Sequence, residues 1–473
     1  MPTFPDLDLV IRGGTVVTAA DAFRSDVGIR DGRIVALAER LGPAGREIDA
    51  TGLLALPGGV DSHCHIDQES STGLITADDF FTGGISAACG GTTTIIPFAA
   101  QHRGQSLMTV VEAYHRRALA KAFVDYAFHL IVSDPAEHVM CEELPALIAE
   151  GYTSFKIYLT YDALKLTDRQ ALDVLSLARR EAALVMVHAE NSDAIAWRTE
   201  GLLADGKSAP KFHPAARPPV VEREATFRAI ALAELVDVPI LIVHVSAGEA
   251  LDEIRRARWR GVKVFAETCP QYLVFTAGDL DRPGFEGAKF MCSPPPRDLA
   301  SQQALWRGLA TSIIDVFSSD HAPYRFDDPR GKKAFGESPP FDKVPNGVPS
   351  LEVRLPVLFS EGVGKGRIDL NRFVALTATT PARLYGLYPR KGTIAVGADA
   401  DIALWDPKKD IVIDRFTLHD RMDYTPFEGM KVRGWPVMTI SRGEVIWADG
   451  EVRGEAGRGV FLRCTRASPG RAT

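Results

Sequence analysis

Hydrophobic and polar positions change rhythm twice along the chain. Over the first fifty residues, short apolar–polar alternations ("DLVIRGGTVVT", "SDVGIRDGRIVALAE", "REIDATGLLALPG") are separated by Gly and Asp turns, the pattern of a small antiparallel sheet. The far end returns to this style in "KGTIAVGADADIALWDP" and "VMTISRGEVIWADGEV", before a Gly/Arg-rich tail. Two strand-rich ends predict one small β-sandwich domain, residues 1–56 plus 388–473, since two separate β domains would need two tiny cores. The last stretch, "RCTRASPGRAT", reads as a flexible or oligomer-contacting tail.

Residues 57–387 behave differently. Eight nearly continuous apolar runs succeed one another: "PGGVDSH", "TTTIIPFA", "DYAFHLIV", "TSFKIYL", "ALVMVHAE", "PILIVHVS", "VKVFAET" and "SIIDVFSSD". Longer stretches at helical spacing lie between them, such as "SLMTVVEAYHRRALAKA", "DRQALDVLSLARREA", "EREATFRAIALAELV" and "AGEALDEIRRARWRG". Strands buried on both faces lose their alternation. Eight of them separated by helices predict an α/β fold, a catalytic (β/α)8 TIM barrel. A doubly wound open sheet is the competing architecture, but no GxGxxG comes after the first strand to favour it.

Composition adds exclusions. A net charge of −7 gives no field to draw nucleic acid or an anionic membrane. Six scattered cysteines without a CxxC read as reduced cytosolic thiols. No basic-then-apolar leader opens the chain, and no apolar run reaches the ~18 residues a membrane span needs. The expectation is a cytoplasmic protein with no nucleic-acid or membrane partner.

A barrel carries its chemistry at the C-terminal ends of its strands. Here those ends hold His63 and His65, Lys156, His188, His244 and Asp320. His63 and His65 alternate about Cys64 and so share one face of an extended segment. Two imidazoles on one face can take a borderline metal such as zinc. Singly, each histidine is more often a satisfied core or turn residue, and Asp320 could simply cap the helix or turn after it. Five strands that each finish in a ligand-type or ionisable residue are poorly explained by coincidence.

Lys156 is the odd member, set within the apolar run "SFKIYL". Lysine is almost never fully buried without a partner, and desolvation can lower its pKa by ~3–5 units. Four histidines and an aspartate suit one zinc with an open position, whereas two zincs need a bridging anion. A neutral amine reacts with carbon dioxide to give a carbamate, which would turn this lysine into a bidentate carboxylate.

The segments "PGGVDSHCHID", "TADDFFTGG", "ACGGTTTIIPFA", "FKIYLTYD", "VHAENSDAI", "HVSAGEAL", "ETCPQYL", "CSPPPR", "SDHAPY", "KVPNGVPSLE" and "MDYTPFEGMKVRG" resemble, in order, the hydantoinase/dihydropyrimidinase family of cyclic amidohydrolases. The resemblance spans nearly the whole chain. It implies a metal-dependent barrel with a β-sandwich annex and two zinc ions, other divalent metals being possible. One zinc would be held by His63, His65 and Asp320, the other by His188 and His244, with N6-carboxylated Lys156 between them. Tyr161 resembles the tyrosine that bonds the developing oxyanion, while Ser293 and Asn346 resemble residues whose backbone groups hold the ring amides. Asp320 would act as general base. The implied reaction is hydrolysis of a cyclic ureide or imide to an N-carbamoyl amino acid by a metal-bridging hydroxide. The family also implies a homotetramer, or a homodimer.

The pattern departs in two places. Gln68, Glu69, Ser70 and Ser71 stand where a shorter, more apolar stretch is expected for aromatic hydantoins, and Cys64 replaces the commoner Thr. Allantoinase and cyclic imidase remain alternatives with the same centre. Dihydroorotase is disfavoured, because Asp67 occupies the position of its substrate-binding arginine. A non-catalytic scaffold homologue is disfavoured too, because all six ligand positions are filled.

Overall fold

The computed structural model describes residues 7–466. The N-terminal part forms β1 (Leu7–Val17), β2 (Ala22–Arg30), β3 (Arg33–Ala38), β4 (Ala44–Asp49) and β5 (Leu54–Pro57). The C-terminal part adds β15 (Ile402–Val412), β16 (Lys431–Ser441), β17 (Glu444–Ala448) and β18 (Glu451–Val452). The two ends are joined by antiparallel pairing of β5 with β15, from Leu54–Trp405 to Pro57–Ile402. The nine strands of the predicted β domain are hydrogen-bonded into one continuous sheet, ordered β18-β17-β16-β15-β5-β1-β2-β3 with β4 beside β1. Its register breaks in β1 between Ile11 and Gly14. Leu9, Ile11, Val16, Val27, Ile29, Ile402, Leu404 and Ile440, drawn from both ends of the chain, share one apolar core.

All eight predicted barrel strands are present: β6 (Gly59–Cys64), β7 (Thr92–Ala100), β8 (Asp125–Tyr126) with β9 (His129–Ile131), β10 (Ser154–Tyr158), β11 (Leu184–His188), β12 (Ile240–Ile242), β13 (Val264–Thr268) and β14 (Val316–Phe317). The third is in two pieces, each pairing with β7. Every neighbouring pair is parallel. The ring closes just past β14, where Asp320 N donates to His63 O (2.8 Å) and His65 N to His321 O (2.7 Å). The bonds that close the barrel therefore also bring Asp320 to the first strand.

Helices cover the barrel where the 3.6-residue period places apolar side chains. The Asp168–Glu181 helix starts at Thr167, whose side chain accepts from Gln170 N while Gln170 caps back. It buries Ala171, Val174, Leu175 and Ala178 against the strands, at roughly 1.5–3 kcal/mol for each large apolar side chain. It ends at Ala182, whose φ of 52° turns the chain left-handed.

The start of the tail does not hang free. Val460 N donates to Asp125 Oδ1 (3.0 Å), and Leu462 N to Tyr126 O (2.7 Å). Cys464 N donates to Gly151 O (3.1 Å), so residues 460–466 run back along the barrel. The rest of "RCTRASPGRAT" lies outside the described residues.

Candidate active site

At the mouth of the barrel four imidazoles form a chain. Ring centroids are 5.5 Å apart for His63–His65, 5.4 Å for His63–His244 and 4.4 Å for His188–His244. Asp320 Oδ1 lies 3.2 Å from His65 Nε2 and 3.3 Å from His63 Nε2. Lys156 Nζ lies 2.8 Å from His63 Nε2 and 4.4 Å from the centre of the Phe98 ring. His188 Nδ1 and His244 Nε2 face each other at 3.0 Å. All six side chains that sequence places at strand ends thus converge on one space.

Three of the histidines present one nitrogen to that space while the other is held from behind. His63 Nδ1 is 2.6 Å from Glu267 Oε1, His65 Nδ1 is 2.7 Å from Gln68 Oε1, and His188 Nε2 is 2.9 Å from Glu190 Oε2. Such partners fix the tautomer and aim the free nitrogen. The sequence pattern singles out neither Glu267 nor Glu190, and marks Gln68 only as part of the unexpectedly polar stretch Gln68–Ser71. A signal exists in each case: Glu267 stands one residue before the end of the seventh strand, Glu190 two residues after His188, and Gln68 three after His65.

Burial, reinforced by Lys156, holds His63 and His188 far below the ordinary histidine pKa. Burial and His188 do the same to His244. Neutral imidazole is the form that binds metals. Burial likewise pulls Lys156 down to about 8.

Three site residues adopt the left-handed backbone that side chains other than glycine avoid: Tyr161 (φ 65°), His244 (φ 39°) and Asp320 (φ 48°). Such strain, of order 1–3 kcal/mol per residue, concentrates at functional sites. At Tyr161 it sets the ring 5.5 Å from His188 and over the Arg217 guanidinium at 5.2 Å. Arg217 in turn pairs with Glu190 at 2.6 Å. Burial raises the Tyr161 hydroxyl above its usual pKa despite Arg217, so it stays a donor.

A cavity of about 370 Å3 lies above this cluster. Of the sequence-predicted residues, His65, Lys156, Tyr161, His188, His244, Ser293, Asp320 and Asn346 line it, while fully buried His63 lies beneath. Gln68, Glu69, Ser70 and Ser71 line its mouth. Asp67 points elsewhere, 3.8 Å from Lys121. Cys64 turns into the apolar core. His321 bonds Asp78 at 3.1 Å and accepts from Ser350 N and Leu351 N, away from the cavity. A larger cleft of about 810 Å3, between residues 73–77 and 415–423, contains none of the predicted ligands.

The donor set suits a metal. Ligand atoms of His63, His65 and Asp320 all lie within 4.8 Å of one another. His244 Nδ1 is buried and has no hydrogen-bond partner among the described residues. Nitrogen and carboxylate donors in this mixture are those of a borderline divalent ion.

Known proteins agree with this architecture. The family model described as the Amidohydrolase family, a family of metal-dependent hydrolases, matches residues 54–446. A D-hydantoinase of Ralstonia pickettii is 46% identical over 458 residues, covering 97% of this chain and 99% of that protein. A D-hydantoinase of Rhizobium radiobacter is 45% identical with the same coverage of both. The crystal structure of dihydropyrimidinase from Brevibacillus agri NCHU1002 superimposes with a TM-score of 0.94 at 44% identity, over 97% of this chain and 99% of that one. Agreement of this extent, in sequence and in fold, shows that the chain belongs to the hydantoinase family of the amidohydrolase superfamily and is a cyclic amidohydrolase.

Proposed function

We propose that the protein opens the ring of hydantoins or dihydropyrimidines by hydrolysing the cyclic amide bond, giving N-carbamoyl amino acids. The observation that carries this reading is the convergence of four imidazoles, Asp320 and Lys156 under one cavity, in a chain whose relatives are D-hydantoinases. His63, His65 and Asp320 would hold one zinc ion, and His188 and His244 a second. Lys156 would bridge them as a carbamate, since its lowered pKa leaves amine to add to carbon dioxide with loss of a proton. When bound, the pair supplies Lewis acidity and makes hydroxide accessible at neutral pH.

The chain's own residues supply the remaining steps. Backbone groups at Ser293 and Asn346 hold the ring amides in place. The Tyr161 hydroxyl donates to the carbonyl oxygen as charge gathers on it. Asp320 takes the proton of the attacking water and hands it to the ring nitrogen as the C–N bond breaks. Burial alone would raise Asp320, but the hydrogen bond from His65, with His244 and Lys156 nearby, holds it below the usual carboxylate range. It is therefore ionised and ready to accept.

The polar mouth, Gln68 to Thr72, favours rings with small or polar substituents. Allantoin and cyclic imides therefore belong in the test. All six cysteines are free thiols, which supports the cytoplasm as the working compartment, and a homotetramer is the proposed assembly. The deciding assay offers metal-loaded protein hydantoin, 5-substituted hydantoins, dihydrouracil, allantoin and succinimide. Hydrolysis of at least one cyclic ureide is expected, and turnover of none would sink the reading. Metal analysis should return two zinc ions per chain.

A further inference from the structure

The pair Lys332–Lys333 in "RGKKAFGE" looks like solvated charge, and for Lys333 it is. Its Nζ pairs with Asp327 (2.8 Å) and Glu337 (2.6 Å) at the surface. Lys332 is fully buried, and among the described residues no carboxylate is paired with it. Its Nζ instead donates to three backbone carbonyls: Met291 O (3.1 Å), Pro345 O (2.7 Å) and Gly347 O (2.7 Å). An ammonium has three donors, and all three are used.

Those carbonyls are not a random set. Met291 stands two residues before Ser293, while Pro345 and Gly347 flank Asn346 on either side. Gly347 N also donates to Met291 O (2.9 Å), so the two segments are tied directly as well as through the lysine. On its other side the Asn346 segment is pressed onto the extension of β14. A Cβ at Gly347, whose φ is 142°, would stand 2.4 Å from Ala322 O, two residues beyond Asp320. The lysine thus holds two cavity walls at a fixed distance from each other.

Desolvation of an ammonium without a counter-ion is costly, so packing alone is a poor reason for the residue. Burial pulls Lys332 down to about 7, and the titratable groups facing it are the Cys292 thiol and the His213 imidazole. Three carbonyl acceptors oppose that pull by favouring the charged form. His213 Nε2, 3.0 Å from Cys292 O, steadies the same segment from behind.

We propose that Lys332 is a positioning residue for ring binding, clamping the segments that carry Ser293 and Asn346 at the spacing a cyclic diamide requires. This rests on the ring-binding role proposed for those two residues. Lys332→Met keeps the bulk and removes every donor, while Lys332→Gln keeps two. For hydantoin, Lys332→Met should raise KM about ten-fold with kcat within about three-fold, and metal per chain unchanged. Lys332→Gln should recover part of that loss. Hydrogen exchange at the Cys292, Ser293, Asn346 and Gly347 amides should quicken in the same order. Should Lys332→Met fail to fold, Lys332→Gln carries both readouts. Parental KM and parental exchange in a folded variant, or failure of both variants to fold, would overturn the proposal. A parent protein that opens no cyclic ureide would remove the proposed function instead, and the exchange measurement would still decide whether the clamp exists.

Discussion

Glu267 Oε1 lies 2.6 Å from His63 Nδ1 and also accepts from His244 N at 3.2 Å. One buried carboxylate from the seventh barrel strand therefore orients two of the proposed ligands, one assigned to each metal. Partners of this kind contribute roughly 10–100-fold to metal affinity. Glu267→Gln keeps the shape and weakens the pull on His63, so zinc affinity should fall by about that factor. Competition with a chromogenic chelator measures it, and affinity equal to the parent's would show that Glu267 only fills space.

Lys156 faces a different test, because its role depends on becoming an anion. Lys156→Ala should lose bound metal and activity together, and acetate or propionate should restore part of both by entering the vacated space. Zinc content and hydrolysis rate, measured against carboxylate concentration, report on this directly. Full activity without rescue would exclude the carbamate.

Tyr161 is held over Arg217 by a left-handed backbone, and is not one of the proposed metal ligands. Tyr161→Phe should therefore leave metal content unchanged and reduce kcat by roughly 100–1000-fold, the range for removing one oxyanion donor. A loss confined to KM would move Tyr161 from the oxyanion to ground-state binding.

These residues are unequally legible in the sequence. The barrel can be read because parallel strands buried on both faces appear as unbroken apolar runs, and its ligands because a histidine ending such a run is conspicuous. Glu267 stands near the end of such a run too, but a lone glutamate there does not announce which imidazole it will reach. Lys332 is hidden more thoroughly, since "GKK" has the look of solvated charge and only tertiary packing buries one lysine of the two. The pairing of β5 with β15 joins residues more than three hundred positions apart, so the continuous sheet has no local signature.

Between barrel and sheet sits a second charge cluster, unrelated to chemistry. Lys391 Nζ lies 2.7 Å from both Asp125 and Asp401 and 3.1 Å from Asp399, with Lys391 only 1% exposed. Burial alone would lower its pKa, yet the three aspartates hold it above the usual lysine value. Its contribution is thus complete at neutral pH and is lost only as pH rises through that raised value. Lys391→Met would leave buried Asp401 without a cation, while Asp399 keeps Arg390 (2.8 Å) and Asp125 keeps Arg442 (3.3 Å), at a cost of about 3–5 kcal/mol. The thermal midpoint at pH 7 should drop by several degrees, with the metal site intact until unfolding begins. An unchanged midpoint would mean that solvent reaches the aspartates.

Asp420 reverses that logic. Burial, with Asp78 adding to it, raises its pKa from 3.8 to about 7. The folded state then keeps a proton that the unfolded chain has already released, so stability falls as pH climbs between those two values. The loss accrues at about 1.4 kcal/mol per pH unit across that window, before any relaxation of the site. Asp420→Asn is neutral at every pH and retains an oxygen for the Met422 N–H, which bonds Asp420 Oδ1 at 3.1 Å. The variant should match the parent near pH 4 and exceed it in thermal midpoint at pH 8, the gap opening steadily between. A variant less stable than the parent at pH 8 would show that the ionised aspartate is needed, with Arg415, 3.8 Å from Asp420 Oδ1, as its partner.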